Sequence, residues 1–422
     1  MANVLFLVHR IPYPPNKGDK LRSFHLLQAM AARHRVFLGT LADDADDMQH
    51  VPALQALCAD VCVEPIAPRR ARIASLLGLL TGEPLTLRYF RSARLQRWVD
   101  RTVAREAIDA VVVFSSSVAP YAMAHPELPL WVDFVDVDSA KWAEYAQRHR
   151  GPMAWLYSRE ARRLLAFERQ VALRAERSYF TTEKETALFG QLAPECADRI
   201  EPMDNGVDTV FYAPDPARPS PYAAGEIPLV FTGAMDYWPN IDAVQWFSAE
   251  VLPRLRQRWP ALRFHIVGRS PPSEVRALAS DPAAGVAVSG TVPDVRPWLQ
   301  HAAVVVAPLR LARGVQNKVL EAMAMARPVV AASACAEVLD ALPGADLLAA
   351  TRADEYLEHI DSLLRDPARA EAMGAAGRER VLHHYTWAAH LSVLDRALAA
   401  VRPAPARAAA TPANPHRLAH RP

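Results

Sequence analysis

The sequence predicts an α/β protein built from two Rossmann-like domains, each a doubly wound parallel sheet. The chain has 422 residues, about three times the ~150 residues of an average domain. Short β-branched apolar runs alternate with amphipathic stretches through both halves, which is the pattern of βα units. Length and pattern together therefore favour two domains of roughly 200 residues each.

Each half supplies five candidate strands, apolar enough to be buried on both faces. In the first half the predicted strands are Val4–Val8, Val36–Leu41, Ala110–Phe114, Leu130–Phe134 and Ser178–Thr181, and the helices are Leu21–His34, Leu95–Ala107 and Trp155–Arg177. In the second half the predicted strands are Leu229–Thr232, Phe264–Val267, Val286–Ser289, Val304–Ala307 and Val329–Ala332. Its helices are Ala243–Trp259, Val295–His301, Lys318–Met325, Glu355–Arg365 and Ala368–His383.

The domain boundary is predicted at Asn205-Gly206, because this pair favours a tight turn and the Pro-rich stretch Pro214–Pro228 forbids continued helix. One domain then covers residues 1–205 and the second covers 206–385. A last helix at 386–401 is expected to pack back on the first domain. Arg402–Pro422 contain five Pro, seven Ala and no acidic residue, so they are expected to be a disordered tail.

Composition excludes several classes of protein. The net charge is only +2, so no general nucleic-acid-binding footprint is indicated. The first apolar run is six residues long, too short for a signal peptide or a membrane span. The four cysteines lack the spacing of a zinc ribbon or a disulfide framework, which fits a reduced cytoplasmic location; they are Cys58, Cys62, Cys196 and Cys335.

The loop after the first strand contains Asn16, Lys17, Gly18 and Asp19 and leads into a helix that carries Arg22. A Gly-containing loop before a helix offers unpaired backbone N–H groups and the positive end of the helix dipole to an anion. Lys17 and Arg22 would reinforce such a site. The loop matches neither the dinucleotide nor the P-loop motif, and a plain Pro-rich connector is the alternative.

Asp136 and Asp138 follow a buried strand of the first half. Ligands of open α/β sheets bind outside the carboxyl ends of strands, so these carboxylates are expected near a site. Metal binding by the pair is one alternative, and helix capping by Asp138 or Ser139 is another.

Three successive strands of the second half end in glycine, at Gly233, Gly268 and Gly290, and Arg269 follows the second of them. Glycines at one sheet edge let a ligand approach the backbone, which suggests a nucleotide whose phosphate Arg269 pairs with. Tight turns alone are the alternative explanation.

The densest motif runs through Gly314, Asn317, Lys318 and Glu321. Gly314 opens a loop before a helix N-terminus, and the last two residues share one helical face. A lysine suits a phosphate, and a carboxylate can accept two hydrogen bonds from a ribose diol. An ordinary intrahelical Lys–Glu pair is the alternative.

On these motifs the chain resembles the retaining, nucleotide-sugar-dependent glycosyltransferases of group 1, which have the glycosyltransferase-B fold. The resemblance covers nearly the whole chain, through Asn205–Asp208, Lys318–Ala324 and Tyr385–Trp387. More narrowly, His9–Pro15 and Arg313–Glu321 resemble sugar transferases associated with PEP-CTERM/exosortase exopolysaccharide systems.

The resemblance implies a donor-binding second half and an acceptor-binding first half that face each other across a cleft. It implies that Glu321 holds the ribose, while Arg313 stands where the family has another Glu that contacts the transferred sugar. Asp136 or Asp138 is then the residue that faces the reacting carbon. Arg269, Arg313 and Lys318 would neutralise the diphosphate; no metal and no cofactor besides the nucleotide sugar is expected.

The segment Arg69–Arg105 has nine Arg against Glu83 and Asp100, interleaved with Leu and Ile. Such a stretch suits an anionic membrane surface that presents a polyprenyl-diphosphate-linked acceptor, although a solvated protein surface is the alternative. The function expected is sugar transfer in exopolysaccharide synthesis, at the inner face of the cytoplasmic membrane. An epimerase or phosphorylase on the same fold, or a nucleotide-sugar-binding scaffold without turnover, are the competing hypotheses.

Overall fold

A computed structural model describes residues 1–15, 18–311 and 315–401, and only the backbone of Gly18 and Asp19. The predictions made for Asn16, Lys17, Arg313, Gly314 and the tail at 402–422 therefore lie outside the described residues, as do those for the side chain of Asp19. The described residues form two compact units, one made of Met1–Met203 with residues 393–401, the other of residues 204–392.

In the first unit, parallel strands line up in the order β3-β2-β1-β4-β5-β6-β7. The strands are β1 Asn3–Val8, β2 Arg35–Ala42, β3 Asp60–Pro65, β4 Ala110–Phe114, β5 Leu130–Val135, β6 Arg177–Phe180 and β7 Ile200–Pro202. The helices are α1 Gly18–Ala31, α2 Val51–Gln55, α3 Pro68–Ser75, α4 Gly78–Thr81, α5 Leu85–Tyr89, α6 Ala93–Arg105, α7 Ala119–Met123, α8 Asp138–Arg148, α9 Pro152–Arg174 and α10 Glu183–Leu192.

In the second unit, parallel strands line up in the order β10-β9-β8-β11-β12-β13. The strands are β8 Ile227–Thr232, β9 Leu262–Val267, β10 Val286–Gly290, β11 Val304–Ala307, β12 Val329–Ala332 and β13 Leu348–Ala350. The helices are α11 Trp238–Glu250, α12 Leu252–Arg258, α13 Ser273–Ala277, α14 Arg296–Gln300, α15 Asn317–Ala324, α16 Ser333–Ala336, α17 Ala353–Arg365 and α18 Pro367–His384, and α19 Trp387–Ala399 follows them.

The predicted fold class of two doubly wound parallel sheets is confirmed. In both sheets the winding direction reverses once, between β1 and β4 in the first and between β8 and β11 in the second. At such a reversal the loops leave in opposite directions and open a crevice beyond the carboxyl ends of the strands, which is where ligands of this architecture bind. Each unit therefore has one crevice whose position the topology fixes.

The central strands are buried along their whole length, as their β-branched runs predict. Every residue of β4, β11 and β12 is buried, and the helices cover both faces of each sheet with apolar side chains. Strands buried on both sides lose the alternating pattern of a half-exposed sheet and read as continuous apolar runs.

Three edge strands were missed by the sequence analysis. β3 contains Asp60 and Glu64 and is only partly buried, and β7 and β13 have three residues each. An edge strand is covered less completely, so its sequence carries little apolar signal. The predicted helix Ala243–Trp259 is also wrong, because α11 ends at Glu250 and α12 starts at Leu252, where Pro253 lacks the N–H that a continuous helix needs.

The glycine of the Asn205-Gly206 pair has a different role from the predicted turn. Val207 forms a parallel bridge with Thr386, and a Cβ atom built on Gly206 would lie 2.5 Å from the backbone nitrogen of Trp387. Only glycine fits where two backbones approach this closely. Gly206 therefore allows the first and last segments of the second unit to pack backbone against backbone.

Candidate functional site

The strongest candidate site of the second unit is built around Lys318, the second residue of α15. Its Nζ donates a hydrogen bond to Oδ1 of Asn240 at 2.5 Å and lies 4.3 Å from the centre of the Phe231 ring in β8. These contacts place the ammonium at the carboxyl end of β8, beside the reversal of the strand order. The sequence prediction put Lys318 near bound phosphate, and the topology puts it at the crevice.

Gly233 and Gly268 make room for this arrangement. A Cβ atom on Gly233 would lie 2.9 Å from Nζ of Lys318, and one on Gly268 would lie 1.7 Å from the carbonyl oxygen of Gly233. The amide of Asn240 also donates to the carbonyl of Ala234 at 2.8 Å. The glycines were predicted to let a ligand approach the backbone. In the structure, the atoms that approach them most closely belong to the protein: the side chains of Lys318 and Asn240 at Gly233, and the backbone of Gly233 at Gly268.

The ammonium of Lys318 is poorly compensated. Burial lowers its pKa to about 8, although the nearby Cys335 and Glu321 oppose the shift. The thiol of Cys335 is itself buried, which raises its pKa to about 11, so at neutral pH it brings no negative charge. A partly buried cation whose hydrogen-bond partner is a neutral amide favours binding of an anion such as a phosphate.

Glu321 lies one helical turn beyond Lys318 and accepts a hydrogen bond from the phenol of Tyr212. Burial raises the pKa of Glu321, while the hydrogen bond from Tyr212 and the charge of Lys318 oppose the increase. The simple intrahelical Lys–Glu pair is therefore not what the structure shows, since each side chain has a partner outside its helix. One carboxylate with a phenol fixing its orientation can accept further hydrogen bonds from hydroxyl groups.

The remaining predicted donor-site residues lie around this centre. Asn317 is the first residue of α15, and the loops after β8 and β9 are joined by the hydrogen bond from Met235 N to Arg269 O at 2.9 Å. The guanidinium of Arg269 is half exposed and lies 3.9 Å from the Asp236 carboxylate. That loose surface pair leaves Arg269 able to contact a ligand.

Sequence reasoning missed Asn240, Tyr212 and Cys335 as site residues. They come from α11, from the segment before β8 and from α16, and none belongs to a local motif with Lys318. Only the parallel arrangement of the strands brings these segments to one edge of the sheet. No spacing rule within a single stretch of sequence would have found them.

In the first unit, Asp136 and Asp138 share the ammonium of Lys141. Nζ of Lys141 lies 2.8 Å from Oδ2 of Asp136 and 3.1 Å from Oδ1 of Asp138, and the hydroxyl of Thr181 donates to Asp136 at 2.9 Å. The cluster follows β5 and β6 at the carboxyl edge, as predicted. The lysine offsets one of the two negative charges of the pair.

The capping roles considered for Asp138 and Ser139 are wrong. α8 begins after Val137 without a side-chain cap. The backbone N–H of Ser139 and its hydroxyl instead donate to Glu168 of α9, at 3.3 and 2.5 Å. Burial raises the pKa of Glu168 to about 8. The start of α8 is thus fixed by a carboxyl group from a different helix, which local sequence does not reveal.

The role predicted for Arg22 also needs correction. Its Nε and Nη2 donate to Oδ2 and Oδ1 of Asp133 in β5, at 2.7 and 3.2 Å, and both side chains are 1% exposed. Asp133 in turn accepts a hydrogen bond from the backbone N–H of Val135 at 3.1 Å. Arg22 therefore holds α1 against β5, and the pair is a structural ion pair.

Comparison with known proteins finds relatives of the second unit. Residues 226–366 match the family model described as glycosyl transferases group 1. This part of the chain is therefore similar in sequence to group 1 glycosyltransferases. A curated mannosyltransferase of Mycolicibacterium smegmatis, described as GDP-mannose-dependent alpha-(1-6)-phosphatidylinositol monomannoside mannosyltransferase, is 33% identical over 228 residues. That match covers 50% of this chain and 57% of the relative, so the two are compared over only about half their lengths.

Solved structures extend the similarity to the fold of nearly the whole chain. HepE from Anabaena, in complex with UDP and glucose, superposes with a TM-score of 0.64 at 16% identity, over 94% of this chain and 100% of that one. Sucrose-phosphate synthase from Thermosynechococcus elongatus gives a TM-score of 0.65 at 17% identity, over 95% and 100%. The chain therefore has the glycosyltransferase-B fold.

The segment that matches the family model contains the whole cluster around Lys318 except Tyr212, which precedes it. Gly233, Asn240, Lys318 and Glu321 all lie within residues 226–366. Asp136 and Asp138 lie in the other unit. The family match thus covers the predicted donor-binding residues of the second unit. The predicted acceptor-binding residues of the first unit lie outside the matched segment.

Proposed function

We propose that this protein is a retaining glycosyltransferase that moves a sugar from a nucleotide-diphosphate sugar to a glycan or a lipid-linked acceptor in exopolysaccharide synthesis. The observation that carries the proposal is the partly buried Lys318 ammonium, which Asn240 holds close to Gly233 at the crevice of the second unit. A system of the PEP-CTERM/exosortase type is the setting that the sequence resemblance favours. Its reaction would take place at the inner face of the cytoplasmic membrane.

The residues around Lys318 would each bind a different part of the donor. Lys318 pairs with the diphosphate, together with Arg269 and Arg313, and Glu321 accepts hydrogen bonds from the ribose hydroxyls. Tyr212 keeps the Glu321 carboxylate oriented through its phenol. HepE was solved with UDP-glucose and the mannosyltransferase is described as GDP-mannose-dependent, so UDP-glucose and GDP-mannose are the first donors to test.

The reaction proposed is a displacement on one face of the sugar. The bond between the anomeric carbon and the diphosphate oxygen breaks while the acceptor hydroxyl oxygen attacks that carbon, and the hydroxyl proton passes to the departing diphosphate. Cations positioned at the leaving group stabilise its developing charge, and such preorganised charges commonly supply the largest part of a rate enhancement. Asp136 or Asp138 would face the reacting carbon. No divalent metal is required, so activity should persist in EDTA.

Donor binding is tested by the thermal shift that UDP, GDP, ADP and their sugars produce. We expect one nucleotide to raise the melting temperature of the wild type, and to raise it little or not at all in Lys318→Gln and Glu321→Ala. Exposed Lys184 and Glu358 provide matched controls, and Lys184→Gln and Glu358→Ala should behave as the wild type. If no nucleotide shifts the wild type, the donor site is refuted.

Transfer itself is tested by supplying the preferred donor with a membrane extract that contains acceptors. Labelled sugar in the lipid or glycan fraction, with α-linkage preserved from an α-linked donor, supports the proposed reaction. Nucleotide binding without any transfer would favour the scaffold hypothesis. Epimerised donor in the absence of acceptor would favour the epimerase.

We also propose that α3 and α4 contact an anionic membrane surface. Ile73 and Leu80 are 71% and 86% exposed, and Leu76 and Leu77 are about half exposed, while α3 carries Arg69, Arg70 and Arg72. Exposed apolar side chains beside arginines suit the headgroup region of an anionic bilayer. Within the described residues no helix has the length and apolarity to span a membrane.

The membrane contact is tested by co-sedimentation with anionic vesicles at low salt. We expect Leu80→Glu to release the protein. Leu342→Glu should not, because Leu342 is also an exposed leucine but lies in the second unit. Equal sedimentation of both variants would contradict the proposal.

A further inference from the structure

The first unit contains a cavity of about 510 Å³ that none of the proposed donor residues lines. Its walls come from α5, the start of α6 and the segment after β4, and they are mostly apolar: Leu87, Phe90, Ala93, Pro120 and Tyr121. Sites for small molecules typically enclose about 300–1,000 Å³ with apolar walls and a few polar groups. The cavity has the size and the lining of a ligand site.

The position of the cavity is that of a binding site in this architecture. Ser117, in the wall, follows β4 by three residues, and the ring of Phe90 lies 5.5 Å from that of His9, which follows β1 directly. β1 and β4 are the two strands between which the order of the first sheet reverses. The cavity therefore borders the crevice where a ligand of the first unit is expected.

Hydrogen bonds fix the walls of the cavity. The hydroxyl of Tyr121 donates to the carbonyl of Phe90 and accepts from the backbone N–H of Ser92, both at 2.6 Å. Glu160 of α9 accepts from the N–H groups of Leu85 and Thr86 at 2.8 Å, which anchors the start of α5. A site with walls held in this way is preformed, so ligand binding does not carry the entropy cost of ordering the walls.

Two arginines give the apolar cavity a cationic rim. Arg91 is paired with Glu83, whereas Arg97 donates its Nε–H to the carbonyl of Ala93 in its own helix, at 3.2 Å. A guanidinium has five N–H donors, so those of Arg97 beyond Nε can bind a phosphate. Apolar walls below a cationic rim complement an amphiphile with an anionic headgroup.

The surroundings indicate that the apolar part of this ligand is a lipid chain. α5 packs against α3 and α4, which carry the exposed Ile73 and Leu80. An apolar surface of the protein thus adjoins the element that forms one wall of the cavity.

We propose that this cavity holds the headgroup-proximal part of the hydrocarbon chain of a lipid-phosphate-linked acceptor, with the phosphate at Arg97 and Arg91. The inference rests on the proposed transferase function, because it assigns the acceptor of that reaction. It commits to the acceptor lipid as the occupant. A bulk phospholipid needs only the exposed leucines, whereas an acceptor must reach the carboxyl edge of the sheet.

The test is calorimetric titration of farnesyl phosphate, below its aggregation concentration, into the full-length protein. We expect saturable binding with one site. Ala93 is exposed at the cavity wall, so Ala93→Phe fills the space without entering the core and should weaken binding at least about tenfold, as should Arg97→Gln through loss of a charge-assisted contact. Arg97→Gln should leave the weaker binding of farnesol unchanged, because farnesol has no phosphate.

A second cavity, of about 440 Å³, supplies the matched control. It lies at the amino ends of β4 and β5 and is lined by Ile108, Trp131 and Ala400. Ala400→Phe fills that cavity and should leave farnesyl phosphate binding unchanged. Absence of saturable binding to the wild type, or equal binding by wild type and Ala93→Phe, would overturn the inference.

Failure of this inference can be separated from failure of the proposed function by adding nucleotide to the same samples. A nucleotide that still raises the melting temperature of a protein unable to bind farnesyl phosphate overturns the cavity assignment and leaves the donor site intact. If neither ligand binds, both proposals fail. Binding of wild type and Ala93→Phe alike to anionic vesicles, without farnesyl phosphate binding, would assign the lipid contact to α3 and α4 alone.

Discussion

The affinity for a nucleotide-diphosphate sugar should fall as the pH rises through about 8, because the proposed phosphate ligand loses its proton there. Burial lowers the pKa of Lys318 from its ordinary value of 10.5 to about 8. The diphosphate binds the charged ammonium and not the neutral amine. By linkage, binding therefore takes up a proton above pH 8, and the apparent affinity must decrease with increasing pH.

The size of the effect follows from the fraction of Lys318 that carries a proton. With a pKa of about 8, roughly nine tenths is protonated at pH 7 and roughly one tenth at pH 9. If only the protonated form binds the diphosphate, the dissociation constant increases about tenfold between these pH values. A nucleotide sugar is the better probe, since its diphosphate has no proton to lose in this range.

The assay is isothermal titration calorimetry of the preferred nucleotide sugar at half-unit steps from pH 6.5 to 9.0. Lys318→Gln should bind weakly at every pH, and Lys318→Arg should show a flat profile because a guanidinium stays charged throughout. A flat wild-type profile, or the same tenfold decrease in Lys318→Gln, would refute the reasoning. The first result would place the diphosphate away from Lys318, and the second would assign the titration to another group.

Three further predictions concern other parts of the structure. The wild type should bind ribonucleotides about tenfold more tightly than 3′-deoxynucleotides, because the deoxy form lacks one hydrogen bond to Glu321. Glu321→Gln should abolish this preference. An unchanged preference of the variant in titration calorimetry would exclude a contact between Glu321 and the ribose. Val135 has a φ of +72°, a backbone conformation that is costly for a β-branched residue. Val135→Gly should therefore lower the melting temperature less than Val132→Gly, which changes a buried residue of the same strand. The reverse order would show that Val135 is not strained. Arg22→Met should destabilise the protein by about 3–5 kcal/mol by leaving Asp133 buried and unpaired, and Arg22→Met with Asp133→Leu should recover part of that loss in thermal denaturation; no recovery would contradict a purely structural role for the pair.

The sequence determined the central strands well and the edges poorly. β4, β11 and β12 occur at the predicted residues, because strands covered by helices on both faces must be apolar throughout. β3 and β13 were missed, because a partly covered strand tolerates polar residues and can be as short as three residues. Sheet order is a tertiary property, and it alone places the two crevices.

The candidate site shows the same division. Lys318 and Glu321 could be singled out because their spacing puts them on one face of a helix that follows a glycine loop. Asn240 and Tyr212, which hold them, lie 78 and 109 residues away in the chain. Their proximity depends on the reversal of strand order and on the packing of α11.

What the sequence by itself determined is the fold class, because burial on two faces dictates long apolar strands and amphipathic helices in alternation. It also marked Lys318 and Glu321 through the helical repeat. Only the tertiary structure decided what each polar residue does. Arg22 and Lys318 are both basic residues at the start of a helix after a loop, yet Arg22 forms an ion pair with a buried carboxylate, while the direct contacts of the Lys318 ammonium are an amide oxygen and a ring, with Glu321 one helical turn away. The difference lies in the residues that the fold places opposite them, since the free energy of a buried charge depends on its partner.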